Sequence, residues 1–204
     1  YLSLFTDPRL NGPFLSVFIW TIVFSILTMI TMFGLGFLVA VVLDKKIRAR
    51  NLYRAIMILP YAIPSFMSTL IWAGMFNREI GVFNALLGSE IDWLNDPWLA
   101  RGALLLVNLW LGFPYFYLVT TGALQALPGE LEEAAVIDGA SSSQIFWRIK
   151  LPLVLEILAP LLIASLAFNF NNFNLIYLLT RGGPTNSIEG ESAGATDILI
   201  CLLY

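Results

Sequence analysis

The chain has no histidine and a single cysteine, Cys201. Without them a Ser-His-Asp triad, a Cys/His zinc cluster or a disulfide framework cannot be assembled. Charge is scarce too: Asp, Glu, Lys and Arg make up 12% of the 204 residues, about half the share of an ordinary soluble domain. Hydrophobic residues take their place at 58%, a balance that puts the chain in a lipid bilayer. A net charge of −3 and a pI near 4.9 leave no basic surface for nucleic acid. None of the three lysines, Lys45, Lys46 and Lys150, follows a glycine. A G-x-x-x-x-G-K-[ST] loop is therefore absent, and ATP, if it drives this protein, is expected on another chain.

Four runs free of charged side chains, 14–43, 55–76, 102–121 and 157–180, can each cross a hydrocarbon core, which takes roughly 20 apolar residues. A fifth run starts at Ile198 and reaches Tyr204, too short to cross. With Tyr1 rather than methionine at its start and no signal peptide, the chain reads as an internal piece of a longer protein. The expected fold is all-α: a polytopic transmembrane helical bundle with four full spans and part of a fifth. Lys and Arg of short loops stay on the cytoplasmic side. Lys45, Lys46, Arg48, Arg50, Arg54, Arg148 and Lys150 crowd the first and third connections, against Arg9, Arg78, Arg101 and Arg181 on the other side. The loops 77–101 and 181–197 are therefore expected outside. Trp72, Trp93, Trp98 and Trp110 suit either an interfacial belt or helix packing.

Pro60, Pro64, Gly112, Pro114 and Pro160 are expected to interrupt the helices. Gly34 and Gly36 lie inside the first span, where small residues allow helices to approach closely. No charged residue sits deep in a span, and Glu156 after Pro152 is expected at the interface, so a proton relay or ion-coupled carrier has no support. An enzyme is not expected on similar grounds: without His and with no acid or Lys deep in a span, the chain offers no general acid or base set.

The third connection is patterned. Pro128-Gly129 opens a helix over 130–137, whose early acids suit the helix dipole. Gly139 then ends it in a left-handed turn, and Ser141, Ser142 and Ser143 offer caps for a second short helix carrying Ile145, Phe146 and Ile149. A compact knob and an ordinary amphipathic surface helix both fit this pattern. The last span holds the run Phe168-Asn169-Phe170-Asn171-Asn172-Phe173-Asn174. At about 100° per residue, Ser165, Phe168, Asn169 and Asn172 share one face, while Asn171 and Asn174 point elsewhere. Amides that donate and accept, beside an aromatic ring, suit a sugar. They suit interhelical glue equally, worth roughly 0.6 to 2 kcal/mol per pair, and glue is the expectation for Asn171 and Asn174.

Glu133-Ala134-Ala135, then Gly139, Ile149 and Leu151-Pro152 at their spacings, resemble the E-A-A-x3-G-x9-I-x-L-P signature of binding-protein-dependent ABC importer permeases. The stretches 108–115, 121–126 and 167–173, followed by Gly182-Gly183-Pro184, are similar to the larger membrane subunit of maltose and maltodextrin importers. The resemblance implies that 1–204 is an incomplete permease domain and that 128–152 is its coupling loop, which docks in a cleft of an ATPase. Glu133, Ala134, Ala135, Asp138 and Gly139 would be its contacts. Sugar would be held by Leu111, Gly112, Tyr115, Ser165, Phe168, Asn169 and Asn172. The implied partners are a second permease subunit, an ATPase dimer that carries ATP and Mg, an extracytoplasmic sugar-binding protein and the lipid bilayer of a bacterial inner membrane. This chain itself would hold no cofactor. Another oligosaccharide, or a passive Asn-lined facilitator, is the alternative.

Overall fold

The computed structural model describes residues 8–44, 48–185 and 193–203. Lys45 and Lys46 of the basic connection, residues 186–192, and Tyr1 and Tyr204 lie outside the described residues. The described chain is helical without a named strand: α1 Pro8–Asp44, α2 Arg50–Ala62, α3 Ser65–Met75, α4 Val82–Leu87, α5 Pro97–Ala126, α6 Gly129–Ile137, α7 Ser142–Ile145, α8 Leu151–Phe170 and α9 Phe173–Leu179. A π-turn, Phe146–Lys150, joins α7 to α8, and a 3-10 turn, Leu199–Leu203, comes last.

Three rods are long and apolar enough to cross a membrane: Gly12–Asp44, Pro97–Ala126 and Ser142–Phe170. The second short helix expected after Ser141 is thus the root of the last rod, started by a capping box between Ser141 and Gln144. A fourth crossing is broken. α2 and α3 meet at 91°, because Ile63, held extended by Pro64, cannot continue the helix. Pro60, Gly112, Pro114 and Pro160 lie inside continuous helices and do not interrupt them. The expected span over 157–180 is also not continuous, since α8 stops at Phe170 and α9 restarts at Phe173.

Centrally placed, α5 touches α1, α2, α3, α8 and α9. Asp96 caps its start, accepting from the Trp98 and Leu99 amides at 2.9 Å. Against α1 it packs closely at Gly36, where a Cβ would lie 2.6 Å from Phe116 Cβ and 2.7 Å from the Phe113 carbonyl oxygen. Gly34, by contrast, has nothing within 4 Å, so one of the two glycines expected to serve packing does so. The buried hydroxyls of Thr21, Ser25 and Thr28 each donate 2.7 Å back to a carbonyl one turn earlier. Polar groups inside α1 are therefore satisfied without water.

Both ends of the bundle are tied. At one end Ala40, Leu43 and Tyr117 pack together, Phe37 meets Phe146, and α6 follows directly from α5. At the opposite end Arg101 donates 2.8 Å to the Ala195 carbonyl, and Trp20 donates 3.4 Å to that of Thr196. Residues 77–96, 181–185 and 193–197 thus share one end and the 127–150 connection the other, the grouping expected from the charges. Trp72, Trp93 and Trp110 pack in an aromatic cluster with Phe76 and Phe83 rather than forming a belt, whereas Trp98 stays 76% exposed. After the buried Ile198, residues 199–203 form the 3-10 turn, with the Leu199 amide donating 3.0 Å to Thr21 Oγ1.

Candidate functional site

Two helix breaks face each other and open a cavity of about 920 Å³ between them, within the roughly 300–1,000 Å³ of small-molecule sites. Its floor comes from α2 and α3 at Pro60–Ser65, one wall from α5 and another from α8 and α9. Leu111, Gly112, Tyr115, Ser165, Phe168, Asn169 and Asn172 all line it. No lining residue is charged. Convergent amides, hydroxyls and rings in such a space can hold a neutral polyhydroxylated molecule through hydrogen bonds and ring-face contact.

The amides form a network before any ligand enters. Asn108 Nδ2 donates 2.7 Å to Asn169 Oδ1, and Asn172 Nδ2 reaches Asn108 Oδ1 at 3.5 Å. Asn169 Nδ2 donates 2.9 Å to the Ser165 carbonyl. Asn108 and Asn169 are 3% and 1% exposed, so an α5–α8 bridge of this kind is both glue and cavity wall. Asn172 sits in the break itself, with φ −81 and ψ 62. Phe168 is 68% exposed although it lines the cavity, and so is Phe66 at 56%. That side of the cavity is open.

Two expectations fail here. Asn171 donates 3.0 Å to the Ala167 carbonyl of its own helix, so it is a helix end rather than glue. Asn174 lines the cavity, because the break at 171–172 resets the register that a continuous helix would have kept. Most of the lining lay outside the sequence candidates, and Asn108, Tyr61 and Ser65 are three polar examples. Asn108 lies three and four residues before Leu111 and Gly112 and so shares their face, a signal that was present. Tyr61 and Ser65 flank the Pro60–Pro64 break and carry the nearest hydroxyls to it.

The knob is α6 with its turn. Asp138 caps the helix, and Gly139 follows at φ +80 with its amide donating 3.0 Å to Val136, while Ala140 donates 2.9 Å to Ala135. This is a Schellman ending, which favours glycine at that position. Glu133, Ala134, Asp138 and Gly139 are exposed, and Ala135 faces inward at 9%. Val136 and Ile137 stand out at 59% and 85%, and Trp147 at 63%, uncovered by the described residues. The base is held by Lys150 Nζ, 2.6 Å from Glu132 Oε2, which links α6 to the root of α8.

Comparison with known proteins places this geometry. Residues 32–198 match the family described as binding-protein-dependent transport system inner membrane component. The maltose/maltodextrin transport system permease protein MalF of Vibrio vulnificus strain YJ016 is 48% identical, aligned over 97% of this chain and 39% of that protein. Its Escherichia coli K12 counterpart is 44% identical over 100% of this chain and 41% of its own length. The chain thus spans about two-fifths of the length of these curated relatives. Among solved structures, a bacterial ABC transporter involved in import of the acidic polysaccharide alginate superposes with a TM-score of 0.79 at 21% identity, covering 100% of this chain and 69% of that one. The same likeness holds for the alginate transporter in complex with an alginate pentasaccharide-bound periplasmic protein. At this identity these structures speak for the fold.

Proposed function

Because the chain belongs to the family of binding-protein-dependent transport system inner membrane components, we propose that it is the sugar-conducting part of an ATP-driven importer permease for maltose and maltodextrins. The uncharged cavity walled by amides and rings carries this reading, since it matches a neutral sugar and offers no cationic side chain to an anion. Identity of 44–48% to proteins named as maltose/maltodextrin permeases supports the choice of sugar. Leu111, Gly112, Tyr115, Ser165, Phe168, Asn169 and Asn172 hold the substrate, joined by Asn108, and the exposed side at Phe66 and Phe168 is closed by a second permease subunit. The subunit performs transport without being an enzyme. ATP and Mg reside on a partner ATPase dimer, in whose cleft the Glu133–Gly139 knob sits, and an extracytoplasmic binding protein delivers sugar at the opposite end. Unequal fit of the knob to the two ATPase states shifts the bundle between its inward- and outward-open forms. The knob accordingly faces the cytoplasm of a bacterial cell.

Uptake of labelled maltose into proteoliposomes of the complete transporter, with and without enclosed ATP, tests this. ATP-dependent uptake is expected. Flux without nucleotide would replace the importer with a facilitator, and an assembled ATPase that moves no maltose would move the search to other oligosaccharides. The knob has its own expected outcome. A β-branched residue at φ +80 costs about 1–2 kcal/mol, so Gly139→Val should frustrate the turn and lower sugar moved per ATP hydrolysed, while Gly139→Asn, which tolerates a left-handed backbone, keeps it near normal. Equal coupling ratios in the two variants would remove the turn from force transmission.

A further inference from the structure

The connection between α3 and α5 is a hairpin with a charged neck and an apolar tip. At the neck, Arg78 lies 3.9 Å from Glu90 and 3.8 Å from Asp92 across the two strands of chain. At the tip, α4 and its approach expose Ile80, Leu86 and Leu87 at 84%, 79% and 60%, with Val82 at 48%. The hairpin cannot roll to hide them. Asn84, on the other face of α4, is 5% exposed and donates 3.0 Å to the Arg78 carbonyl and 2.8 Å to that of Ile91, while accepting 2.8 Å from Trp93 Nε1. These bonds pin the inner face and leave the apolar residues outward.

Depth decides what the tip meets. Phe83 of α4 stacks on Trp72 at 5.9 Å, and Trp72 meets Trp110 at 6.1 Å. Trp110 lies thirteen residues into α5, about 20 Å from its start at 1.5 Å per residue. The ring contacts through Trp72 draw Phe83 towards Trp110, and its contact with Trp93 at 6.1 Å, four residues before Pro97, holds it near the start of α5, so α4 lies level with the first turns of α5. The uncharged run of α5 begins directly after Arg101, so the tip is level with the onset of hydrocarbon while the neck charges point to water. We infer that the hairpin 77–92 is a re-entrant wedge whose tip, Ile80, Val82, Leu86 and Leu87, is seated in the acyl chains of the leaflet away from the knob. The occupant is lipid: apolar, unlimited in shape and present at that depth. This inference rests on the spans alone and not on the sugar reading.

A nitroxide at Leu86→Cys, with Cys201 and any other cysteine replaced by serine, reports the surroundings in the complete transporter reconstituted into phosphatidylethanolamine–phosphatidylglycerol vesicles. Collisions with oxygen, which concentrates in hydrocarbon, should exceed those with a nickel chelate confined to water, and the order should reverse at Glu90→Cys. Dominance of the nickel chelate at position 86 would make the tip an aqueous surface. Shielding from both reagents would seat a protein there, the binding protein or a second subunit, and equally overturn the wedge. Ile80→Cys repeats the measurement, so the loss of one labelled variant to misassembly does not decide the result.

Discussion

Gly36→Leu is expected to abolish recovery of folded protein, while Gly34→Ala two residues earlier is tolerated. The Cβ at position 36 would stand 2.7 Å from the Phe113 oxygen and from the Tyr117 nitrogen, and these are backbone atoms that can yield only if α1 and α5 move apart. Gly36 and the fully buried Ala40 one turn on form the small-residue seam along which the two helices meet. Overpacking of this kind costs about 1–3 kcal/mol even where side chains can shift, and separating two spans forfeits packing along their whole contact. At Gly34 a methyl group enters open space, and alanine in a helix interior gains about 1 kcal/mol over glycine. Thermal unfolding of the purified transporter, read by size-exclusion chromatography after heating, checks both. A Gly36→Leu protein with an unchanged melting temperature would refute the close approach.

Asn108→Leu is expected to reduce the initial rate of maltose uptake by tenfold or more without loss of assembly. The substitution keeps the branching and the number of heavy atoms but deletes the donor to Asn169 Oδ1 and the acceptor for Asn172 Nδ2. An unsatisfied buried amide oxygen costs about 1–3 kcal/mol, and 1.4 kcal/mol corresponds to about tenfold in affinity or rate. Asn172→Ala, at the half-buried edge of the same network, should weaken uptake less. Asn171→Ala should leave it nearly unchanged, because that amide serves its own helix end. If the Asn108 and Asn171 variants transport alike, the amide network does not hold the sugar.

How legible these features were in the sequence follows from how far apart their partners lie. The knob could be read residue by residue. Its acids, its glycine and its Ser141–Gln144 box act within four or five positions of one another, so local chemistry alone specifies them. The α2–α3 break was half legible: Pro64 announces that Ile63 cannot be helical, but which of several prolines would break a helix and which would sit inside one depended on the packing around each. The face shared by Ser165, Phe168 and Asn169 survived because it lies within α8, and Asn171 points away from it as expected, whereas Asn174 was carried into the cavity lining by a break with no proline or glycine to mark it.

By itself the sequence determined that this chain is a helical membrane protein, where its apolar runs lie, which loops share an end, and that one connection carries a short helix ended at Gly139. These follow from composition and from interactions within a turn or two of helix. Only the tertiary structure decided that two broken helices face each other across an uncharged cavity and that Asn108 meets Asn169 from 61 residues away. It also decided that Gly36 rather than Gly34 is the point of helix contact. The physical reason is that a side chain's neighbours across a helix interface depend on rotation and crossing angle, quantities set by the fit of all the helices together and written in no single segment.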